Sequence, residues 1–258
     1  YGVGKGRCVV VFEDITGRKL EEADREALMS LLRLLNVPNR THELVRAVTA
    51  LLQEWAGCEA VGIRLREGDD FPYFETRGFP AGFVQAENYL CVRDAKQEVP
   101  RDSQGNAVLE CMCGNVLCGR FNPALPFFTS GGSFWTNSTS KLLASTTEAD
   151  RQARTRNRCN GEGYESVALV PLRCTSGTIG LLQVNDRHPD RFTPEKIALL
   201  ERLSASLAIA LEQRMTQAAL CESEERYRLI SENMSDVIWL LDVASGRLTY
   251  VSPSVERL

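Results

Sequence analysis

The chain has 258 residues, of which 43% are hydrophobic and 25% charged, with a formal net charge of −4. This composition is typical of a globular protein with at least one sizeable core. The negative net charge argues against a nucleic-acid partner. The sequence also contains no run of 18 apolar residues, which a membrane-spanning helix would require. Nine cysteines, an odd number, predict thiols or metal ligands of a reducing, cytoplasmic compartment rather than a disulfide framework.

The first third of the chain predicts a strand, two helices and two more strands. Residues 7–13 are rich in β-branched residues, so we interpret the chain as a piece that begins within a domain. Helical spacing follows over 17–35 and again from Thr41, which we expect to be the N-cap, to about residue 56. Alternation over 58–66 predicts a half-buried strand with Arg64 on its polar face, and a further strand is expected from Tyr73 to Arg77.

The remainder divides into an irregular middle and a regular end. Residues 86–146 hold four of the nine cysteines and form a stretch too long for a loop without function or short elements of its own. Thr147 and Asp150 predict the start of a short arginine-rich helix. Residues 164–172 and 178–184 predict a hairpin, a long helix is expected from Pro194 to about residue 230, and a last hairpin spans 236–250.

This order of elements predicts an α+β fold. We expect an antiparallel β-sheet with helices on one face and long connecting helices at both ends. The apolar seam of the last helix fades past Arg214, which is typical of a helix that pairs with a second copy. We therefore expect a homodimer through the terminal helices.

Three stretches carry a resemblance to a known family. Ser166–Leu172, Ile179–Asn185 and Phe192–Thr193 resemble the second half of a GAF domain, and the likeness covers 39–214. Val10–Arg18 resembles the end of a PAS domain, and residues 222–253 resemble the start of another.

The resemblance implies five successive parts in the chain. These are the end of a PAS domain at 1–19, a linker helix at 20–38, the GAF domain at 39–214, a signalling helix at 215–229 and the truncated start of a second PAS domain at 230–258. PAS–GAF–PAS arrays are similar to the input regions of sensor histidine kinases, so the resemblance implies a non-catalytic sensory region that acts on a downstream kinase or other output domain. GAF domains bind many unrelated ligands, so the family leaves the ligand open.

The cysteine-rich middle is the first candidate site. Cys111, Cys113 and Cys118 fall within eight residues, with Cys91 upstream and Cys159 downstream. Such thiolates suit zinc or an iron–sulfur cluster, although the spacing is not that of a standard motif. Two neighbouring thiols that close a disulfide would instead form a redox switch. The remaining interpretation is small buried side chains without a role.

The resemblance to sensor kinases of this GAF subgroup adds haem, bound through cysteine, as the second choice of cofactor. His42 and His188 are the two histidines, and the sequence places neither in an obvious pocket. The second candidate site is Trp135, Asn137 and Ser138, where an aromatic wall adjoins groups that hydrogen-bond a small ligand. These three are equally ordinary as turn and cap residues.

Three functions follow from these observations. The first is a binding and relay module that senses a ligand, a metal or a redox state through the cysteine-rich segment. The second is an enzyme with Cys113 as nucleophile and the amides near Gly114 as an oxyanion site, but the sequence offers it no placed general base. The third is a structural dimerisation spacer without a ligand.

Overall fold

The structure is a computed structural model that describes residues 16–92, 98–102, 105, 107–151, 155–233, 236–243, 245–252 and 255. The strand predicted at 7–13, and with it nearly all of the PAS end predicted at 1–19, lies outside these residues. The chain forms two compact units, one up to Ala210 and one from Leu211 to Leu258. The predicted boundaries at residues 38, 214 and 229 stay predictions.

The first unit contains a five-stranded antiparallel sheet, which confirms the predicted fold class. Its strands stand in the order β2-β1-β5-β4-β3. They are β1 (Ala60–Leu65), β2 (Tyr73–Arg77), β3 (Phe134–Thr136), β4 (Ser166–Cys174) and β5 (Gly177–Asp186). The predicted hairpin is confirmed: β4 and β5 pair along their length, with Val170 opposite Leu182.

Long helices cover one face of this sheet. They are α2 (Thr41–Ala56), which contacts β1 and β2, and the first part of α7 (Pro194–Asn233); α1 (Thr16–Asn36) packs against α2. Lys196 joins α7 to α2, because its Nζ donates to the carbonyl oxygen of Ala56 at 2.7 Å. Arg40, rather than Thr41, is the N-cap of α2. The reason is that the Glu43 carboxylate accepts from the backbone N–H of Arg40 at 3.3 Å, which draws the helix start back by one residue.

The opposite face is covered by the segment 78–163, which contains four short helices. These are α3 (Ala81–Glu87), α4 (Cys111–Leu117), α5 (Thr139–Ser145) and α6 (Arg158–Gly161). The helix predicted from Thr147 is replaced by a turn at 148–151, before residues 152–154, which are outside the described range. The capping contacts still form, because the Thr147 N–H donates to the Asp150 carboxylate at 2.7 Å. They stabilise a single turn here.

The prediction that β1 is half-buried is wrong. All six of its residues are buried, and Arg64 is only 1% exposed. Its guanidinium donates to the backbone carbonyls of Phe71, Glu87 and Asn88 at 2.6–2.9 Å. It also lies 3.6 Å from the ring centroid of Tyr73. The outer segment buries this arginine, and carbonyls of that segment and of the β1–β2 connection accept hydrogen bonds from its two terminal nitrogens, as a buried charge requires.

The second unit contains the later part of α7 and a hairpin. The hairpin predicted at 236–250 is confirmed as β6 (Trp239–Asp242) paired with β7 (Arg247–Val251). Both strands are exposed. Across the described part of the chain, no helix is both long and apolar enough to cross a membrane.

Replacing Arg64 by methionine tests the role of this buried charge. The variant keeps an unbranched apolar stem but leaves three carbonyls without their donor, so we expect the free energy of unfolding to fall by about 3 kcal/mol. Urea unfolding followed by tryptophan fluorescence measures it. Arg66→Met, at an exposed position two residues on, is the matched control and should change stability by less than about 0.5 kcal/mol. Equal losses in the two variants would contradict the assignment.

Candidate functional site

A small pocket lies on the outer face of the sheet, where three separate segments meet. The segments are residues 111–113 of α4, residues 134–143 around β3 and α5, and residues 155–160 around α6. The pocket has a volume of about 60 Å³ and a mostly apolar lining. It brings together Cys111, Cys113 and Cys159, which lie as far as 48 residues apart in the sequence. We call it the thiol pocket.

Two residues of α4 fix its first two cysteines in place. A Cβ at Gly114 would lie 2.7–2.8 Å from atoms of Leu109, so only glycine permits this close approach. Asn115 is fully buried, and its amide nitrogen donates to the carbonyl of Arg151 at 2.7 Å. Its amide oxygen accepts from Arg120 at 2.9 Å. The residues that follow the two cysteines therefore form the support of the pocket.

Cys111 begins α4 in a left-handed backbone conformation, with φ at +66°. This conformation is uncommon for a residue other than glycine and costs of the order of 1 kcal/mol. Residues at positions i and i+2 of a regular helix do not face each other. The departure from helical geometry at Cys111 is consistent with the contact that its sulfur makes with Cys113.

The two sulfurs share one hydrogen bond, in which the Cys113 thiol donates to the Cys111 thiolate. This bond is the main reason why the pKa of Cys111 is lowered to about 6, against the opposing effect of burial. The backbone N–H groups of Arg156 and Met112 lower the pKa of Cys111 further. The same shared bond, together with burial, raises the pKa of Cys113 well above its ordinary value. Cys111 is half-buried and Cys113 is 5% exposed, so the thiolate is the more accessible of the two.

Cys159 connects the thiol pocket to the sheet. The side-chain amide of Gln183, on β5, donates to its sulfur at 3.7 Å and to the amide oxygen of Asn185 at 3.2 Å. The Tyr73 hydroxyl donates to the Gln183 oxygen at 2.8 Å. Burial, followed by the negative charge on Cys111, raises the pKa of Cys159 to about 12. Cys159 is therefore a neutral thiol in a buried polar network.

Arg156 lies between two lining residues of the pocket, Thr155 and Asn157, and holds the α6 segment against the start of α4. Its guanidinium donates to the Glu110 carboxylate at 3.1 Å and to the carbonyl of Tyr89 at 2.9 Å. The Glu87 carboxylate lies 3.7 Å away, and burial raises the pKa of Glu87 despite the opposing charges of Arg156, Arg64 and Arg158. The charge of Arg156 is thus engaged with carboxylates, and its backbone N–H acts on the Cys111 sulfur.

The segment around β3 forms the opposite wall and is attached to α7. Phe134 and Thr139 line the pocket. The Thr139 hydroxyl donates to the carbonyl of Tyr164 at 2.6 Å. Next to Phe134, the hydroxyl of the fully buried Ser133 donates to the Glu201 carboxylate of α7 at 2.6 Å. A displacement of Phe134 would therefore act directly on a side chain of α7.

The three residues predicted to bind a small ligand make other contacts. Asn137 pairs with the backbone of Phe192 through both its amide atoms, at 2.8 and 2.9 Å, just before α7 begins. Ser138 is the N-cap of α5 and accepts from the Lys141 N–H at 3.2 Å. Trp135 is half-buried on β3. None of the three is among the residues that line the thiol pocket, and their predicted ligand contacts stay predictions.

Cys91 and Cys118 lie at other clefts. Cys91 is buried, and its thiol donates to the carbonyl of Asp69 at 3.4 Å. Cys118 is exposed and borders a cleft beside Arg120. Within the described residues, no group of three His, Cys, Asp or Glu side chains has an arrangement that could hold a metal ion.

The volume and the lining of the thiol pocket also bear on whether it could hold a haem. A pocket for an organic ligand usually has a volume of roughly 300–1,000 Å³, and the thiol pocket has about 60 Å³. Neither histidine lines it: His42 contacts Glu75 and His188 contacts Asp186. The residues present therefore do not fit a haem in this conformation.

Sequence reasoning found the three segments but missed several residues that organise the pocket. Thr139 and Phe134, neighbours of the predicted ligand residues, provide its wall. Gln183 and Glu201 link it to β5 and α7. For Gln183 a signal existed, since a polar amide inside an otherwise apolar strand predicts a buried hydrogen-bonded group. For Glu201, on an ordinary helix surface, the sequence held no such signal.

Comparisons with known proteins agree with this fold. The GAF domain of an Acinetobacter phosphoenolpyruvate-protein phosphotransferase is 14% identical, with a TM-score of 0.51 over 76% of this chain and 97% of that one. A domain of a two-component sensor histidine kinase protein from Sinorhizobium meliloti is also 14% identical, with a TM-score of 0.45 over 70% and 96% of the two chains. The free methionine-R-sulfoxide reductase of Neisseria meningitidis, solved with its substrate, is 16% identical, with a TM-score of 0.49 over 74% and 90%.

At 14% identity the likeness to the Acinetobacter domain, whose TM-score is 0.51, shows the fold alone. No significant match was found among curated proteins. The family model described as "GAF domain" matches residues 40–211, which is more than half of the 258 residues. The chain therefore belongs to the GAF domain family.

Proposed function

We propose that this chain is the sensory region of a signalling protein and that the thiol pocket is its input site. One observation carries the proposal: three sulfurs from distant parts of the sequence converge on a single pocket whose walls are bonded to the sheet and to α7. The sensed event is a chemical change at these sulfurs or a small molecule bound against them. The domain carries no catalytic role in this proposal.

The thiols themselves, rather than a bound metal, are the sensing groups in this proposal. Zinc and iron–sulfur clusters commonly take four ligands, whereas Cys91 and Cys118 lie at other clefts. A lowered pKa at Cys111, half-buried beside two neutral thiols, is the environment of a reactive cysteine. Haem stays the alternative cofactor, and it would require the pocket to widen severalfold.

The signal would leave the pocket by two routes. Phe134 lines the pocket, and the adjacent Ser133 is bonded to Glu201 on α7. Cys159 is bonded to Gln183 on β5. Because packed interiors shift between discrete arrangements rather than deforming continuously, a change at the sulfurs would bias α7 between two positions.

The parent arrangement is proposed on the resemblance of the flanking segments. Residues 1–19 and 230–258 would belong to PAS domains, and the chain would form the PAS–GAF–PAS input region of a sensor histidine kinase. Residues such as Met215, Leu220 and Ile230 are exposed on α7, which supports pairing of this helix with a second copy. A spacer without a ligand is the alternative, and the two tests below discriminate against it.

The first test measures the reactivity of Cys111 as a function of pH. Because the thiolate is the reacting species and its pKa is lowered to about 6, the alkylation rate should rise with pH and reach half its maximum near pH 6. An ordinary cysteine has a pKa of about 8.5. Iodoacetamide labelling read by peptide mass spectrometry measures the rate.

The matched variant is Cys113→Ala, which removes the hydrogen-bond donor. It should move the midpoint of the Cys111 profile upward, toward the ordinary value. An unchanged midpoint in this variant, or a wild-type midpoint above pH 8, would contradict the thiolate assignment.

The second test asks whether the pocket is coupled to α7. We expect that methylthiolation of Cys111 with methyl methanethiosulfonate, which enlarges the side chain in a pocket of about 60 Å³, changes amide hydrogen exchange near Glu201. The variant Glu201→Ala should lose this response, because Ser133 then has no acceptor on α7. Arg202→Ala, at the exposed neighbouring position, is the control and should keep it. A labelled protein with unchanged exchange in α7 would favour the spacer.

A further inference from the structure

The contact between Cys111 and Cys113 has a chemical consequence beyond sensing in general. Cys111 and Cys113 both line the thiol pocket, two residues apart on α4, and Cys111 is held in a left-handed backbone conformation. Cys111 lies half-buried at a pocket of about 60 Å³. This arrangement supplies a nucleophile, a second thiol in contact with it, and room for a very small reactant.

The size and lining of the pocket restrict the reactant. A cavity needs a volume of roughly 10–15 Å³ to hold one water molecule, so the pocket of about 60 Å³ suits a molecule with only a few heavy atoms. Its lining is mostly apolar, which disfavours a charged reactant because burial of an unpaired charge is costly. A neutral hydroperoxide, with hydrogen peroxide as the smallest member of the class, meets both conditions.

We propose that Cys111 is the attacking residue of a hydroperoxide-responsive switch and that Cys113 is its resolving partner. In the first step the Cys111 sulfur attacks one peroxide oxygen, the O–O bond breaks, and a sulfenic acid forms on Cys111. The sulfur loses two electrons to the peroxide, and the leaving hydroxide or alkoxide takes a proton from water. In the second step the Cys113 sulfur bonds to the Cys111 sulfur, the S–O bond breaks, and the hydroxyl leaves as water with the proton of Cys113.

Cys113 is a better resolving partner than Cys159. Cys113 lines the pocket two residues from Cys111 and is the largest cause of the lowered pKa of Cys111, whereas the Cys159 sulfur accepts a hydrogen bond from Gln183 at 3.7 Å. The lowered pKa of Cys111, about 6, keeps it as the thiolate that the first step requires. A thiol reductant of the dithiothreitol class would restore both cysteines, so the switch is reversible.

This inference rests on the proposed function, because it takes the thiol pocket as the input site. The test treats the 258-residue chain with hydrogen peroxide and maps its peptides by mass spectrometry, with a 1,3-dicarbonyl probe that traps sulfenic acid. Cleavage after Arg101 and Arg120 yields one peptide with both cysteines and the exposed Cys118. We expect this peptide to lose two hydrogens in the wild type and to regain them with dithiothreitol.

Single serine variants assign the roles. Cys113→Ser should keep the peroxide reaction but accumulate the trapped sulfenic acid on Cys111, and Cys111→Ser should lose both adduct and disulfide. Cys118→Ser is the matched control from the same peptide and should behave as the wild type, as should Cys159→Ser. Retention of the disulfide in Cys113→Ser with its loss in Cys159→Ser would overturn the assigned partner. An unreactive Cys111 in the wild type would overturn the switch.

The two proposals fail separately. If peroxide leaves Cys111 unmodified while methylthiolation still changes exchange in α7, only the hydroperoxide chemistry is overturned. If the disulfide forms and exchange in α7 is unchanged, the relay of the proposed function is overturned and the chemistry stands.

Discussion

The outer face of the sheet is covered by a chain segment that has little regular structure, and its buried backbone groups therefore need partners from side chains. A buried N–H or carbonyl left without a partner costs about as much as a lost hydrogen bond. Arg64 donates to two carbonyls of this segment, those of Glu87 and Asn88, and the Asp70 carboxylate accepts from two of its N–H groups, those of Leu90 and Cys91. Asn115 and Asn137 each bind backbone atoms of a distant residue. These side chains provide hydrogen bonds for the backbone of the outer segment, as the backbone groups themselves do in the helices and strands of the rest of the unit.

This network determines what the sulfurs can do. The pKa of Cys111 is lowered mainly by the Cys113 thiol and then by backbone N–H groups, while the guanidinium of Arg156 is engaged with carboxylates. Fixed hydrogen bonds at a partly buried site are screened by salt much less than an exposed charge pair. The thiolate therefore depends on the geometry around α4, and a change in the packing of Asn115 or Gly114 would alter its reactivity without any change of charge.

Sequence reasoning succeeded where the pattern is local. The β4–β5 hairpin and the start of α7 at Pro194 follow from alternation, turn residues and a helix start, all within a few positions. The prediction for Arg64 was wrong, because alternation indicates a face but cannot show that a distant segment covers it. The three motifs of the thiol pocket were each singled out, but their convergence depends on contacts between residues up to 48 positions apart, which no local pattern carries.

The same dependence on distant contacts explains how a small chemical event could act at long range. On the proposed mechanism, oxidation removes the negative charge of Cys111 and the thiol proton of Cys113, so the Arg156 N–H loses its charged acceptor. The pocket has a volume of only about 60 Å³ and close-packed walls, so much of the repacking is taken up by those walls. One wall is bonded to Glu201 on α7 and another to Gln183 on β5. Both attachments lead away from the pocket, which places α7 as the element that responds.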